Sequence, residues 1–178
     1  APAIALQSAL RSCKDVLMRW LLRAVPLLLC SLAVHAAEVD RRIAVTIDDL
    51  PWARVDEIVP PDLQARHEAL MTQLHQAGVP VVGFVNENKL EIDGQVQPAR
   101  VQMLRDWLDA GYVLGNHTYS HMDLNAKGVP AFQQDFLRGE AVLRPLLAER
   151  GLKPQWMRHP YLRAGRTPEE RAEMDVFF

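Results

Sequence analysis

Arg41-Arg42-Ile43-Ala44-Val45-Thr46-Ile47-Asp48-Asp49 is the stretch whose reading decides the fold. A basic pair gives way to apolar and β-branched residues, and the run stops at two carboxylates. That pattern predicts a buried strand over 41–47. Pro60-Pro61 punctuates the loop that follows. Leu63, His67, Leu70, Met71, Leu74 and Ala77 then recur at the three-and-four spacing of an amphipathic helix, with Gly78 at its C-cap. Val81-Val82-Gly83-Phe84-Val85 reads as a second strand, followed by a polar loop through Asn86 and Asn88.

The same unit repeats downstream. Val101, Leu104, Trp107 and Leu108 predict a helix ended by Gly111, and Tyr112–Gly115 a third strand. Phe132, Phe136, Leu143, Leu146 and Leu147 mark a further helix ended by Gly151, with Pro145 kinking or breaking it. A short strand is expected around Gln155-Trp156-Met157. Thr167-Pro168-Glu169-Glu170 is a capping box with proline at the first helical position, so another helix starts there. Strands alternating with helices imply an α/β class and a parallel sheet, either wound open or closed as a barrel. In both, chemistry gathers at the carboxyl ends of the strands.

Upstream of this pattern the chain reads differently. Met18-Arg19-Trp20-Leu21-Leu22-Arg23 is a short basic start, and Ala24–Val34 is an apolar run with the length of a signal-peptide core. A membrane span needs about twenty apolar residues. Val34-His35-Ala36 predicts cleavage after Ala36, so 18–36 is expected to be a signal peptide and the protein to be exported, periplasmic or extracellular. Residues 1–17 fit no part of such a peptide and are expected to be an upstream extension, with translation starting at Met18. The folded domain is then 37–178. Both cysteines, Cys13 and Cys30, fall in the removed part, so no disulfide is expected.

Composition narrows the function. The 178 residues are 49% hydrophobic and 24% charged, too apolar for a disordered chain. The formal net charge of -2 becomes about -5 once residues 1–36 are removed. An acidic balance argues against nucleic acid as a partner and against attraction to anionic lipid, and no stable membrane insertion is expected after cleavage.

Three polar clusters follow three different expected strands: Asp48-Asp49 after Ile47, His117-Thr118-Tyr119-Ser120-His121 after Gly115-Asn116, and Arg158-His159-Pro160-Tyr161 after Met157. In a parallel sheet all three face one rim. Successive residues leaving a strand point to opposite sides, so the two aspartates are expected to have separate partners, one a metal and the other a proton. Two histidines four apart can hold one cation from a single face of a helical turn, and Thr118 and Ser120 between them favour a polar turn over a packed interior. Imidazole suits zinc, cobalt or nickel more than magnesium or calcium. Two histidines with one aspartate leave coordination positions open for water and substrate, a hydrolytic arrangement. Arg158 beside Asp48 would keep that carboxylate ionised. His159 is turned away from its neighbour Arg158 by side-chain alternation and is left out of the ligand set.

These clusters resemble, in order and approximate spacing, three motifs of the polysaccharide deacetylases, the NodB homology domain of carbohydrate esterase family 4: Thr46-Ile47-Asp48-Asp49, His117-Thr118-Tyr119-Ser120-His121 and Arg158-His159-Pro160-Tyr161. The resemblance runs from about Ile43 to the end. It implies a distorted (β/α) barrel and hydrolysis of N-acetyl or O-acetyl groups from an acetylated polysaccharide such as chitooligosaccharide, peptidoglycan or xylan. It implies Asp49, His117 and His121 as ligands of a divalent metal, most simply zinc. Asp48 becomes the general base, Arg158 the residue that tethers the base, and the Tyr161 backbone N–H an oxyanion-hole donor.

The sequence also departs from that pattern. Leu50 and Leu162 stand where the family commonly has glycine, and either is expected to reshape a substrate groove. The family's later motifs, a leucine-histidine pair supplying a general acid and an aspartate-tryptophan element, have no counterpart before Phe178. The chain is therefore expected to be a partial deacetylase domain, a barrel truncated before its last strands, poorly stable and weakly active alone. Two other readings share its features: a non-catalytic carbohydrate-binding relative, and a metal-dependent amidase on small substrates.

Overall fold

The computed structural model describes residues 42–178; the extension expected over 1–17, the signal peptide expected over 18–36, and Cys13 and Cys30 with them, lie outside the described residues. The first strand, β1, spans Val45–Leu50. It runs through the paired aspartates instead of stopping before them, because its ladder is interrupted and resumed. Val45, Thr46 and Ile47 pair in register with Val81, Val82 and Gly83, and the register then shifts before Leu50 meets Val85. Asp49 takes up the irregularity at φ 66°, a left-handed conformation in which aspartate is better tolerated than most residues.

Helix α1 covers Pro60–Ala77, so the two prolines begin the helix instead of lying in the loop before it. Their missing N–H groups fall where a helix has no internal acceptor for them. Gly78 closes the helix at φ 61°, its N–H returning to the carbonyls of Leu74 and His75. Strand β2, Val81–Val85, lies at the centre of the sheet and is buried along most of its length. A 3-10 turn over Glu87–Leu90 leads into a hairpin absent from the sequence reading, β3 Glu91–Ile92 and β4 Gln95–Val96. Asp93 and Gly94 both have positive φ at its tip, the requirement of a tight two-residue turn.

Helix α2, Pro98–Asp109, buries Val101, Leu104, Trp107 and Leu108 against the sheet. Strand β5 then spans Val113–Asn116 and pairs parallel with β2. The single helix expected over 132–147 is instead separate helices. A short α3, Leu124–Lys127, precedes α4, Val129–Arg138, and α5 spans Leu143–Ala148. The break falls at Gly139-Glu140, and Pro145 sits in the first turns of α5, where it disrupts nothing. The expected strand at 155–157 reduces to one parallel bridge, Met157 to Asn116, held by Asn116 N–H to Trp156 O at 2.8 Å and Arg158 N–H to Asn116 O at 3.0 Å. Helix α6, Pro168–Phe177, begins at the expected capping box between Thr167 and Glu170.

The sheet order β1-β2-β5, with Met157 beyond β5, follows chain order. Right-handed crossovers that always step in one direction put their helices on one face, the arrangement of a barrel wall rather than of a doubly wound sheet. The main core joins Val81, Val85 and Leu114 of the sheet to the apolar faces of α2 and α5. Leu50 belongs to this core and is 2% exposed, so it does not shape a groove, contrary to the expectation from sequence. A second cluster, Leu124, Val129, Phe132 and Met174, joins α3, α4 and α6. No helix among the described residues is long and apolar enough to cross a membrane.

Candidate metal and catalytic site

The three polar clusters meet at the carboxyl rim of the sheet. His117 is the first residue past β5. Its N–H continues the ladder to Val85 O at 2.9 Å, and its side chain is buried, 2% exposed. Its Nδ1 lies 2.7 Å from the backbone carbonyl of Arg158. A carbonyl only accepts, so Nδ1 carries the proton and Nε2 keeps its lone pair. Burial pushes the imidazole below its ordinary pKa, against the opposing pull of the Arg158 hydrogen bond. The neutral form thus favoured is the one that binds a metal.

The histidine pair is not on a helical turn. Residues 117–123 form an irregular loop, with Thr118 at φ 64° and His121 at φ 56°. Two left-handed residues reverse the chain twice and bring the rings of His117 and His121 to 4.9 Å between centroids. The packed environment of His117 also departs from the exposed polar turn that its neighbours suggested.

This conformation is held from three sides. Asn86, fully buried at the end of β2, donates from Nδ2 to His117 O at 2.5 Å and Thr118 O at 3.1 Å. Asn116, at the end of β5, accepts from Thr118 N–H at 2.6 Å and donates to Phe136 O at 3.0 Å. Asp135 of α4 accepts from the N–H and the hydroxyl of Ser120 at 3.0 and 2.9 Å. Gly139 completes the clamp. A Cβ there would lie 2.8 Å from Tyr119 N and 2.9 Å from Thr118 C, both backbone atoms with no room to yield. Asn86 and Asn116 each follow directly on a strand's last apolar residues, a position that could have marked them in sequence. Nothing in the local sequence marks Asp135.

Asp49 reaches this pair from β1. Its Oδ1 is 3.7 Å from His121 Nε2. Among the described residues, Asp49, His117 and His121 each place a ligand atom within 4.8 Å of the others. Asp49 Oδ1 is buried yet accepts no well-directed hydrogen bond, although Lys89 Nζ lies 2.8 Å away. A buried carboxylate oxygen without a directed donor, facing two imidazoles of which His117 has a free ring nitrogen, fits a divalent cation bound by N and O ligands.

Asp48 faces a different partner. Its Oδ2 is 3.2 Å from Arg158 Nε, an ion pair about one-third exposed on both sides. The contact is one of charge more than of aligned hydrogen bonding, since Nε makes no directed bond. Arg158 Nη1 donates to Thr46 Oγ1 at 3.0 Å, which fixes the guanidinium against β1. Tyr161 lies at φ 57° in a 3-10 turn over Pro160–Leu162, with Pro160 buried beneath it. The residue is 60% exposed, and its ring meets His121 edge-on at 4.6 Å. Leu162 is exposed beside it, also at φ 57°. His159 turns away and stacks on Phe132 at 5.2 Å.

The family model for polysaccharide deacetylase matches residues 35–175. The chain belongs to the polysaccharide deacetylase family. Among solved structures it is similar to a family 4 carbohydrate esterase from Streptomyces lividans in complex with acetate, with 18% identity and a TM-score of 0.53 over 77% of this chain and 58% of that one. It is also similar to the chitin deacetylase of the fungal pathogen Colletotrichum lindemuthianum, with 25% identity and a TM-score of 0.52 over 75% and 50%. A third, a CE4 family pseudoenzyme from Bacillus anthracis, has 14% identity and a TM-score of 0.54 over 75% and 40%. No curated protein matches. Against these three solved structures the chain of this deacetylase-family member spans 40–58% of their length. The likenesses show the fold: a parallel α/β sheet of the NodB barrel type.

Proposed function

We propose that the protein is a metal-dependent deacetylase that hydrolyses N-acetyl or O-acetyl groups on a polysaccharide. The observation that carries this reading is the convergence of Asp49, His117 and His121 beside a separate Asp48–Arg158 ion pair. A divalent metal held by Asp49, His117 and His121 would supply Lewis acidity toward the acetyl carbonyl and toward water. Two imidazoles and one carboxylate suit zinc, with cobalt and nickel as substitutes.

The protein's own groups divide the remaining work. Asp48, partly exposed and next to Arg158, is placed to accept the proton lost by the attacking water. Arg158 pairs with Asp48 and aims it, and through its carbonyl sets the tautomer of His117. The Tyr161 N–H serves as a donor to the charge that develops on the acetyl oxygen. The exposed Tyr161 ring gives a sugar ring a flat apolar surface at the edge of the site. On this reading the substrate polymer lies outside the cell membrane, where the export expected from residues 18–36 would deliver the protein. Acetate release from chitooligosaccharide, peptidoglycan and acetylxylan, each with and without chelator, tests the proposal. Chelator-sensitive release from one of them supports it, and release unaffected by chelator from every substrate refutes it.

A further inference from the structure

Lys89 is a group that the proposed reaction does not use, yet it lies inside the site. Its side chain is 16% exposed, and its Nζ is 2.8 Å from Asp49 Oδ1, the oxygen that also faces His121. A metal bonds carboxylate oxygen at about 2.0–2.2 Å, so an ion on Oδ1 and the ammonium in its present place would be at most about 5 Å apart. Two cations that close in a partly dry site repel strongly. They cannot share the oxygen at full strength.

The geometry points to Lys89 as the resident counter-cation of the site, whose ammonium neutralises Asp49 until a divalent metal displaces it. The inference rests on the metal-site reading above. Two observations support it. The ammonium holds Oδ1 by charge alone, with no directed hydrogen bond, so little geometry is lost when it leaves. The Lys89 backbone, by contrast, is fixed: its N–H bonds Asn86 O at 3.0 Å, and its carbonyl accepts from Arg100 Nη1 at 2.9 Å. The four-carbon side chain can therefore swing toward solvent while the turn over Glu87–Leu90 stays in place. Lys89 acts through Asp49 and is a positioning residue. Its consequence is a metal affinity set lower than the three ligands alone would give.

The test is zinc titration of residues 1–178 carrying Lys89→Met or Lys89→Arg, alongside amine labelling of the unaltered chain read by mass spectrometry. Lys89→Met is expected to bind zinc about tenfold more tightly or better, and Lys89→Arg to stay near the parent value. Labelling of Lys89 is expected to rise severalfold on zinc addition, while that of Lys127 and Lys153 stays constant. Equal affinity in the parent and Lys89→Met, or unchanged Lys89 labelling at saturating zinc, overturns the inference and leaves the metal site standing. Failure of both the parent and Lys89→Met to bind zinc overturns the site itself.

Discussion

The backbone carbonyl of Arg158 lies 2.7 Å from Nδ1 of His117, so one residue orients the histidine through its main chain while its guanidinium pairs with Asp48 at 3.2 Å. The two roles are separable by mutation. Arg158→Met keeps the carbonyl and removes only the guanidinium. Zinc affinity is expected to stay within about threefold of the parent, while acetate release falls by about 10- to 100-fold as Asp48 loses its partner. Paired zinc titrations and turnover assays check this. Equal losses in both would mean that the side chain matters for the fold and not for the base.

Asp48 and His117 are expected to fail differently. Asp48→Asn retains metal and loses activity by about 10²- to 10⁴-fold, since the amide cannot take a proton. His117→Ala loses metal. Metal content by elemental analysis, measured beside turnover, distinguishes them. Parent-level turnover in Asp48→Asn removes Asp48 from the role of base.

Asn86 is expected to matter for metal binding without touching the metal. Its amide bridges the carbonyls of His117 and Thr118 from a fully buried position. Asn86→Ala leaves both carbonyls short of a donor, costing about 1–3 kcal/mol of stability. It also loosens a loop that holds two ligands, so zinc affinity should fall by about 10- to 100-fold. Urea unfolding and zinc titration of the same preparation measure the two effects.

The residues that showed their place in sequence are those with a local cause. Val81–Val85 and the buried positions of α2 were legible because apolar spacing alone fixes them. Gly78 and the Thr167 capping box were legible because helix ends need specific chemistry. The His117–His121 loop was not. Its course depends on Asn86 and Asn116 at the ends of two strands and on Asp135 and Gly139 in and just after α4, which meet only in the folded chain. The β3–β4 hairpin had a signal in Asp93-Gly94, but strands of two residues carry no periodicity. The helical turn expected for the histidines failed because spacing by four is also compatible with a loop that reverses at two left-handed residues. Lys89 had no local signal at all.

Glu87 gives the fold a pH dependence of its own. The carboxylate is buried and accepts from the N–H groups of Val142 and Leu143 at the start of α5. Burial nevertheless raises its pKa above the ordinary carboxylate value, outweighing those hydrogen bonds. A raised folded-state pKa contributes stability that is complete below the unfolded value near 4.5 and is lost as pH rises through the folded value. Relative to the parent, Glu87→Gln is therefore expected to gain stability between about pH 4 and pH 7. Urea midpoints across that range check the trend, and a difference independent of pH contradicts it.

X-ray absorption at the zinc edge of the loaded chain tests the shared metal site most directly. The account predicts one zinc whose first shell contains two imidazole nitrogens and a carboxylate oxygen at about 2.0–2.2 Å, and loss of that shell in His121→Ala. A zinc shell without imidazole, or one unchanged in His121→Ala, would contradict it.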